Sequence, residues 1–168
     1  MKKEWIREAL WELEIERRRM LRPYFLGIGL TLGQGQPRIL RTLALEGPKT
    51  QRELADACRL DVATMSRTLD RLEEGGLLCR ERNPDSRRSY LVSLTSAGQK
   101  KAEQVTAGFR QVDEKLWEGF SQEEMQVLLQ GLKRMRQNLE GAEAVLPEEE
   151  AEGSHLGGGR RNFSKENP

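Results

Sequence analysis

Residues 50–76 read TQRELADACRLDVATMSRTLDRLEEGG, and the fold turns on this stretch. Thr50 is placed as the N-cap of a helix, and Glu53 completes a capping box. In that device side chain and backbone satisfy each other's open donors at the helix start. Leu54 and Ala57 supply the buried side of this helix. Cys58-Arg59-Leu60 is a tight connection, and Asp61 is set to cap the next helix and favour its positive end. The second helix runs from Val62 to about Glu74 and stops at Gly75-Gly76. The product is a helix, a tight turn and a second helix.

A helical wheel gathers Val62, Met65, Leu69 and Leu72 on one side of that second helix. Opposite lie Ala63, Thr64, Arg67, Asp70 and Arg71, with Ser66 at the flank. A helix that enters a DNA major groove needs one apolar face for anchorage and one small, polar or basic face for contact. Small residues near the N-terminus let the backbone approach, and Arg67 is long enough to reach a guanine edge or a phosphate. An ordinary amphipathic helix has the same two faces, so the helix alone decides nothing.

The segment after this helix shifts the balance. Strand-like runs at Leu77–Arg80 and Tyr90–Leu94 enclose Asn83-Pro84-Asp85-Ser86-Arg87-Arg88. This connection is too long for a two-residue hairpin turn and should project as a loop. Arg87 and Arg88 at its tip would stand where a minor groove flanks the same site. A narrow minor groove concentrates negative potential and attracts arginine.

The flanks read as helices. From Lys3 to Leu21, Ile6, Ala9, Leu10, Leu13 and Met20 recur at helical spacing, and Pro23 ends or bends the segment. Arg17-Arg18-Arg19 reads first as a solvated face and second as a phosphate-contacting patch. Gly27 to Pro37 breaks the pattern. Arg38 to Leu45 is a short helix with Ile39, Leu40, Leu43 and Leu45 mostly inward, stopped by Gly47-Pro48. Thr95 starts a long helix to about Phe120. Ser121 with Glu123-Glu124 caps a last one that carries Met125, Leu128, Leu129, Leu132, Met135 and Leu139. Its apolar stripe is wide, and the short helix-turn-helix and hairpin region leaves little surface within one chain to cover it. After Gly141 almost nothing is apolar, and a disordered tail is expected.

Composition narrows the function classes. With 168 residues there is room for one domain with a sizeable core, or a small domain plus appendages. A net charge of +1 lends no support to nucleic-acid binding, which must rest on where the charges sit. No apolar run has the length of a membrane span and the N-terminus lacks a signal-peptide core, so no membrane partner and a cytoplasmic location are expected. Cys58 and Cys79 are too far apart for a CxxC motif and read as small buried side chains, with redox sensing the minor alternative. The single histidine, His155, lies in the tail. Zinc or triad chemistry therefore has almost no material, and neither metal, cofactor nor enzymatic activity is expected.

Leu54-Ala-Asp through Asp70-Arg-Leu-Glu-Glu-Gly-Gly-Leu77, then Arg80, then Asn83-Pro84-Asp85-Ser86-Arg87-Arg88-Ser89-Tyr90, then Leu94-Thr95-x-x-Gly98, resembles the MarR (multiple antibiotic resistance regulator) family. Gly29-Leu30-Thr31-Leu32 with Arg38-Ile39-Leu40 is similar to the entry into that family's second helix. The specific motifs cover Leu30 to Gly98. The resemblance implies a mainly α fold with a small β-wing, a winged helix-turn-helix domain flanked by dimerisation helices. Residues 1–30 would be the N-terminal dimerisation helix, 31–94 the DNA-binding domain, 95–140 the C-terminal dimerisation helices and 141–168 the tail.

By position the resemblance implies that Ala63, Thr64, Ser66 and Arg67 meet the major groove, while Arg88 enters the minor groove with Arg87 beside it. Asp70, Arg71, Asp85 and Ser86 complete the candidate DNA-binding set. The chain departs from many relatives at Arg59, where they have glycine. A left-handed backbone there would cost a non-glycine residue about 1 kcal/mol. It also departs at Ser86, where they have aspartate, so that Arg88 is oriented by Asp85 from a shifted position or by Ser86 through a weaker bond. The implied function is a homodimeric transcriptional regulator on a near-palindromic double-stranded operator. It would repress nearby genes and be relieved by a small-molecule effector bound between dimerisation helices and winged domain. Trp5, Trp11, Tyr24 and Phe25 could line such a pocket or serve as core. The competing reading is a winged helix used for protein contact without operator binding.

Overall fold

The computed structural model describes residues 2–143 apart from Asp85, Arg87 and Arg88. The expected tail beyond residue 143, with His155, therefore lies outside the described residues. In chain order the elements are α1 (Lys3–Gly27), a single 3-10 turn (Leu32–Gln34), α2 (Gln36–Glu46), β1 (Lys49–Thr50), α3 (Gln51–Cys58) and α4 (Val62–Glu74). β2 (Leu78–Arg82), β3 (Tyr90–Leu94), α5 (Ser96–Leu116) and α6 (Gln122–Leu139) complete the order. The class is mainly α with a small antiparallel sheet, as the sequence implies. Residues up to Gly119 form one compact unit, and the chain from Phe120 onward forms a second.

In the first unit one core draws on every long element. α1 contributes Leu21 and Phe25, α2 contributes Ile39 and Leu40, and α3 contributes Leu54 and Cys58. Met65, Leu69 and Leu72 of α4 join Leu78 and Val92 of the sheet and Val105 of α5. α1 runs through Pro23 to Gly27 rather than ending there. A proline inside a helix costs about 3 kcal/mol. Leu21 and Phe25 flank Pro23 and are both fully buried, and that packing offsets the penalty.

The strand order is β1-β3-β2, all antiparallel. Leu78 pairs with Leu94 and Arg82 with Tyr90, a register that leaves 83–89 as the hairpin connection. β2 begins and ends slightly later than the sequence pattern suggests. The two-residue β1 has no periodicity of its own and forms only because Lys49 and Thr50 reach Val92 and Leu91. At the exit of β3, Thr95 caps α5 by accepting from the Gly98 amide, and it donates to the Gly76 carbonyl at 2.6 Å. A Cβ on Gly98 would sit 1.9 Å from the Leu77 carbonyl oxygen, so only glycine lets α5 start this close to β2. α5 ends at Leu116, short of Phe120.

Two other expectations are corrected. Leu45 is 69% exposed while Thr42 turns inward on α2. On α3 the buried set is Leu54, Ala55 and Cys58, and Ala57 faces solvent. The second unit holds α6, whose start is fixed by a capping box between Ser121 and Glu124. No residue of α6 is buried.

Candidate nucleic-acid interface

The turn between α3 and α4 is built by local chemistry. Thr50 and Glu53 form the expected capping box, with the Thr50 amide donating to Glu53 Oε2 at 2.7 Å and the Glu53 amide donating to Thr50 Oγ1. The Thr50 amide, then its hydroxyl, hold the Glu53 carboxyl below the usual range. Arg59 has φ 53 and is the only non-glycine residue with positive φ among the described residues. The left-handed backbone suspected from the relatives' glycine is therefore present, carried by an arginine. Asp61 Oδ1 accepts from the Thr64 amide at 2.8 Å. Hydrogen bonding from Thr64, side chain and backbone, keeps Asp61 ionised at a lower pH than an ordinary aspartate.

α4 begins and ends where the sequence puts it. Its buried face is Met65, Thr68, Leu69 and Leu72. Thr68 was not expected there. Its hydroxyl lies 2.8 Å from the Thr64 carbonyl and 3.0 Å from the Gln34 carbonyl, which satisfies the one polar group on that face. Completing the wheel three residues past Met65 would have found it. Val62, expected on the buried side, is 72% exposed.

Of the candidate contact residues, Ala63, Arg67, Asp70 and Arg71 are exposed, and Thr64 and Ser66 are half-buried. All six lie on one helix, outside its core-facing stripe. Asp70 has a partner within the protein. Its Oδ1 accepts from Arg80 Nη2 of β2 at 2.7 Å, and Arg80 Nη1 also pairs with Glu73. One guanidinium thus spans two carboxylates a helical turn apart and ties α4 to the hairpin. A carboxylate so engaged positions the helix against β2. The sequence signal was an Asp and a Glu three apart followed by an arginine on the next strand.

The loop after β2 is closed by Asn83 and Ser89. The Asn83 amide donates to the Ser89 carbonyl and Asn83 Nδ2 donates to Ser89 Oγ, both at 3.0 Å. Ser86 is half-buried, and its amide donates to the Asn83 carbonyl at 3.2 Å. Asp85, Arg87 and Arg88 lie outside the described residues.

A concavity of about 680 Å³ opens in the first unit among α1, α2, the α3–α4 turn and α5. Arg17, Arg38, Arg41, Cys58, Arg59 and Phe109 are among its lining residues. Arg41 stands over the Phe109 ring, 5.6 Å from its centroid. Burial pushes the Cys58 thiol up, against a weaker pull from its contact with Thr42, which disfavours the thiolate. Cys79 is half-buried rather than buried. None of the four aromatics named from the sequence lines this concavity. Phe25 is core, the Tyr24 hydroxyl donates to the Gln104 carbonyl, and Trp5 and Trp11 are exposed. Arg17 and Arg18 pair with Glu14, and Arg19 with Glu16, which favours the solvated reading of that arginine run.

Known proteins share this architecture. The MarR family profile matches residues 32–90. The HTH-type transcriptional regulator YwoH of Bacillus subtilis is 33% identical over 93 residues, which cover 55% of this chain and 67% of that protein. The chain belongs to the MarR family. Its members are transcriptional regulators, and this one is a regulator and not an enzyme. Another relative, the HTH-type transcriptional regulator YdgJ of B. subtilis, is 29% identical over 67% of this chain and 69% of its own length. A mutant of Escherichia coli MarR complexed with operator DNA superposes with a TM-score of 0.67 at 25% identity, covering 76% of this chain and 91% of that one. Among the described residues no helix is long and apolar enough to cross a membrane, and no cluster of potential metal ligands occurs.

Proposed function

We propose that this MarR-family chain works as a homodimer on a near-palindromic operator, represses adjoining genes, and is released by a small-molecule effector. In this reading residues 1–30 and 95–140 join two copies, and residues 31–94 of each copy read one half-site. A two-fold dimer matches a two-fold operator, with half-sites about one helical turn of DNA apart.

The observation that carries the reading is the division of α4. Met65, Thr68, Leu69 and Leu72 anchor it, Asp61 and Arg80 hold its two ends, and Ala63, Ser66, Arg67 and Arg71 remain outward. Such a helix presents small and basic residues on a rigid support. The operator complex of E. coli MarR supports duplex DNA as the occupant. Exposed apolar residues support dimerisation: Trp5, Ile6 and Leu13 on α1, and Leu128, Leu132 and Met135 on α6. Both helices would leave these faces in water without a second copy.

The concavity beside the α3–α4 turn is a seat for the effector, and its mixed lining of arginines with Glu14, Glu46 and Asp113 favours a polar ligand. A ligand there relieves repression only by binding the DNA-competent spacing less well than another.

DNA fragments selected by the purified protein from a random pool provide the test. Gel shifts on the selected duplex should show affinity falling steeply with salt, as phosphate contacts release counterions. Arg67→Ala and Arg88→Ala should each weaken binding about tenfold to a hundredfold with the fold intact. Unchanged affinity in both variants overturns this contact surface. Binding with no sequence preference and little salt dependence would favour the protein-contact reading.

A further inference from the structure

Val62 is the one large apolar side chain of α4 that faces water, at 72% exposure, although its helix buries Met65, Leu69 and Leu72 completely. It occupies the first helical position, directly after the Asp61 cap. Side chains on a helix tilt toward its N-terminus, so a residue at this position leans past the helix end. The N-terminal residues of a groove-entering helix are the ones that contact base edges.

Val62 stands next to exposed Ala63, which leaves room for close approach. It also edges a depression lined by Ala55 and Leu60, with Arg52 and Asp56 of α3 and the Asp61 cap beside it.

An isopropyl group can neither donate nor accept a hydrogen bond. Of the groups displayed in the major groove, only the thymine C5-methyl is apolar. We propose that Val62 is a specificity-determining residue that reads a thymine methyl in each half-site. This inference rests on the operator-binding reading above. Val62 packs on nothing in the core, so its removal leaves folding intact and the effect is confined to the DNA.

The experiment uses the full chain and duplexes selected from a random pool. Each thymine of the selected sequence is replaced in turn by deoxyuridine, which deletes only the methyl. Affinities are measured for wild type, Val62→Ser and Val62→Ala. One methyl removed from contact is worth about 0.8 kcal/mol, or about a fourfold change in affinity per half-site.

One thymine per half-site should therefore show about a fourfold loss with wild type and none with Val62→Ser. Val62→Ala should fall between them. If wild type binds its operator selectively and every uracil substitution affects wild type and both variants alike, the assignment of Val62 is overturned while operator binding stands. If wild type selects no duplex over a scrambled one, the operator-binding reading itself fails, and this inference fails with it.

Discussion

α4 and α6 are both amphipathic helices with side-chain caps at their N-termini, and they have opposite fates. On α4, Asp61 caps the start and every buried position faces the core of its own unit. On α6, Ser121 and Glu124 cap the start equally well, yet Leu128, Leu129, Leu132 and Met135 are all exposed. Periodicity states that a helix has a face in need of cover. What supplies the cover is decided by which surfaces can reach it, and for α6 the proposed cover is a second copy of the chain.

Methionines on the two helices give the largest expected contrast. Met65 is fully buried, and Met65→Ala should cost about 2–5 kcal/mol at any protein concentration, read by urea unfolding. Met135 is 44% exposed, and Met135→Ala should act through the dimer, so its loss varies with protein concentration. Equal and concentration-independent losses would place Met135 in a core of the single chain and break the contrast.

Arginines come next. Arg67→Ala on α4 should weaken operator binding by about 1–3 kcal/mol in gel shifts and leave the urea midpoint unmoved. Arg134→Ala on α6 should change that affinity by no more than about twofold.

Smaller effects test what holds α4 in place. Arg80→Ala removes both ion pairs to α4. With Asp70 half exposed to screening, it should lower stability by about 1 kcal/mol, and by less as salt rises in thermal melts. Arg59→Gly relieves a left-handed arginine at the α3–α4 turn and should raise the melting temperature by the equivalent of about 0.5–1 kcal/mol. A fall in stability would mean that contacts of the Arg59 side chain outweigh its backbone strain.

Much of this was legible in the chain because it is local. The Thr50–Glu53 box, the Asp61 cap, the limits of α4 and the Ser121 cap each depend on residues within one turn of each other. The site was less legible where it depends on distant partners. Val62 follows the period of Met65 and Leu69, but at the helix start no neighbouring element reaches over it. Asp70 reads as part of the contact face, and only the tertiary structure shows that Arg80, on another strand, also bonds its carboxylate. Pro23 reads as an end or a bend of the helix, and only the burial of Leu21 and Phe25 shows why the helix continues.

By itself, the amino-acid order determined the capped starts of α3, α4, α5 and α6, the turn at Arg59, most of the two faces of α4 and the resemblance to a regulator family through motifs spanning Leu30 to Gly98. These arise from hydrogen bonds and side-chain periods that act over a few residues. The tertiary structure decided that Thr68 is core and Val62 is not, that Gly98 is needed for its closeness to Leu77, and that Arg80 holds α4 to the hairpin. Each depends on a neighbour brought from elsewhere in the chain, and no local period encodes which neighbour that is.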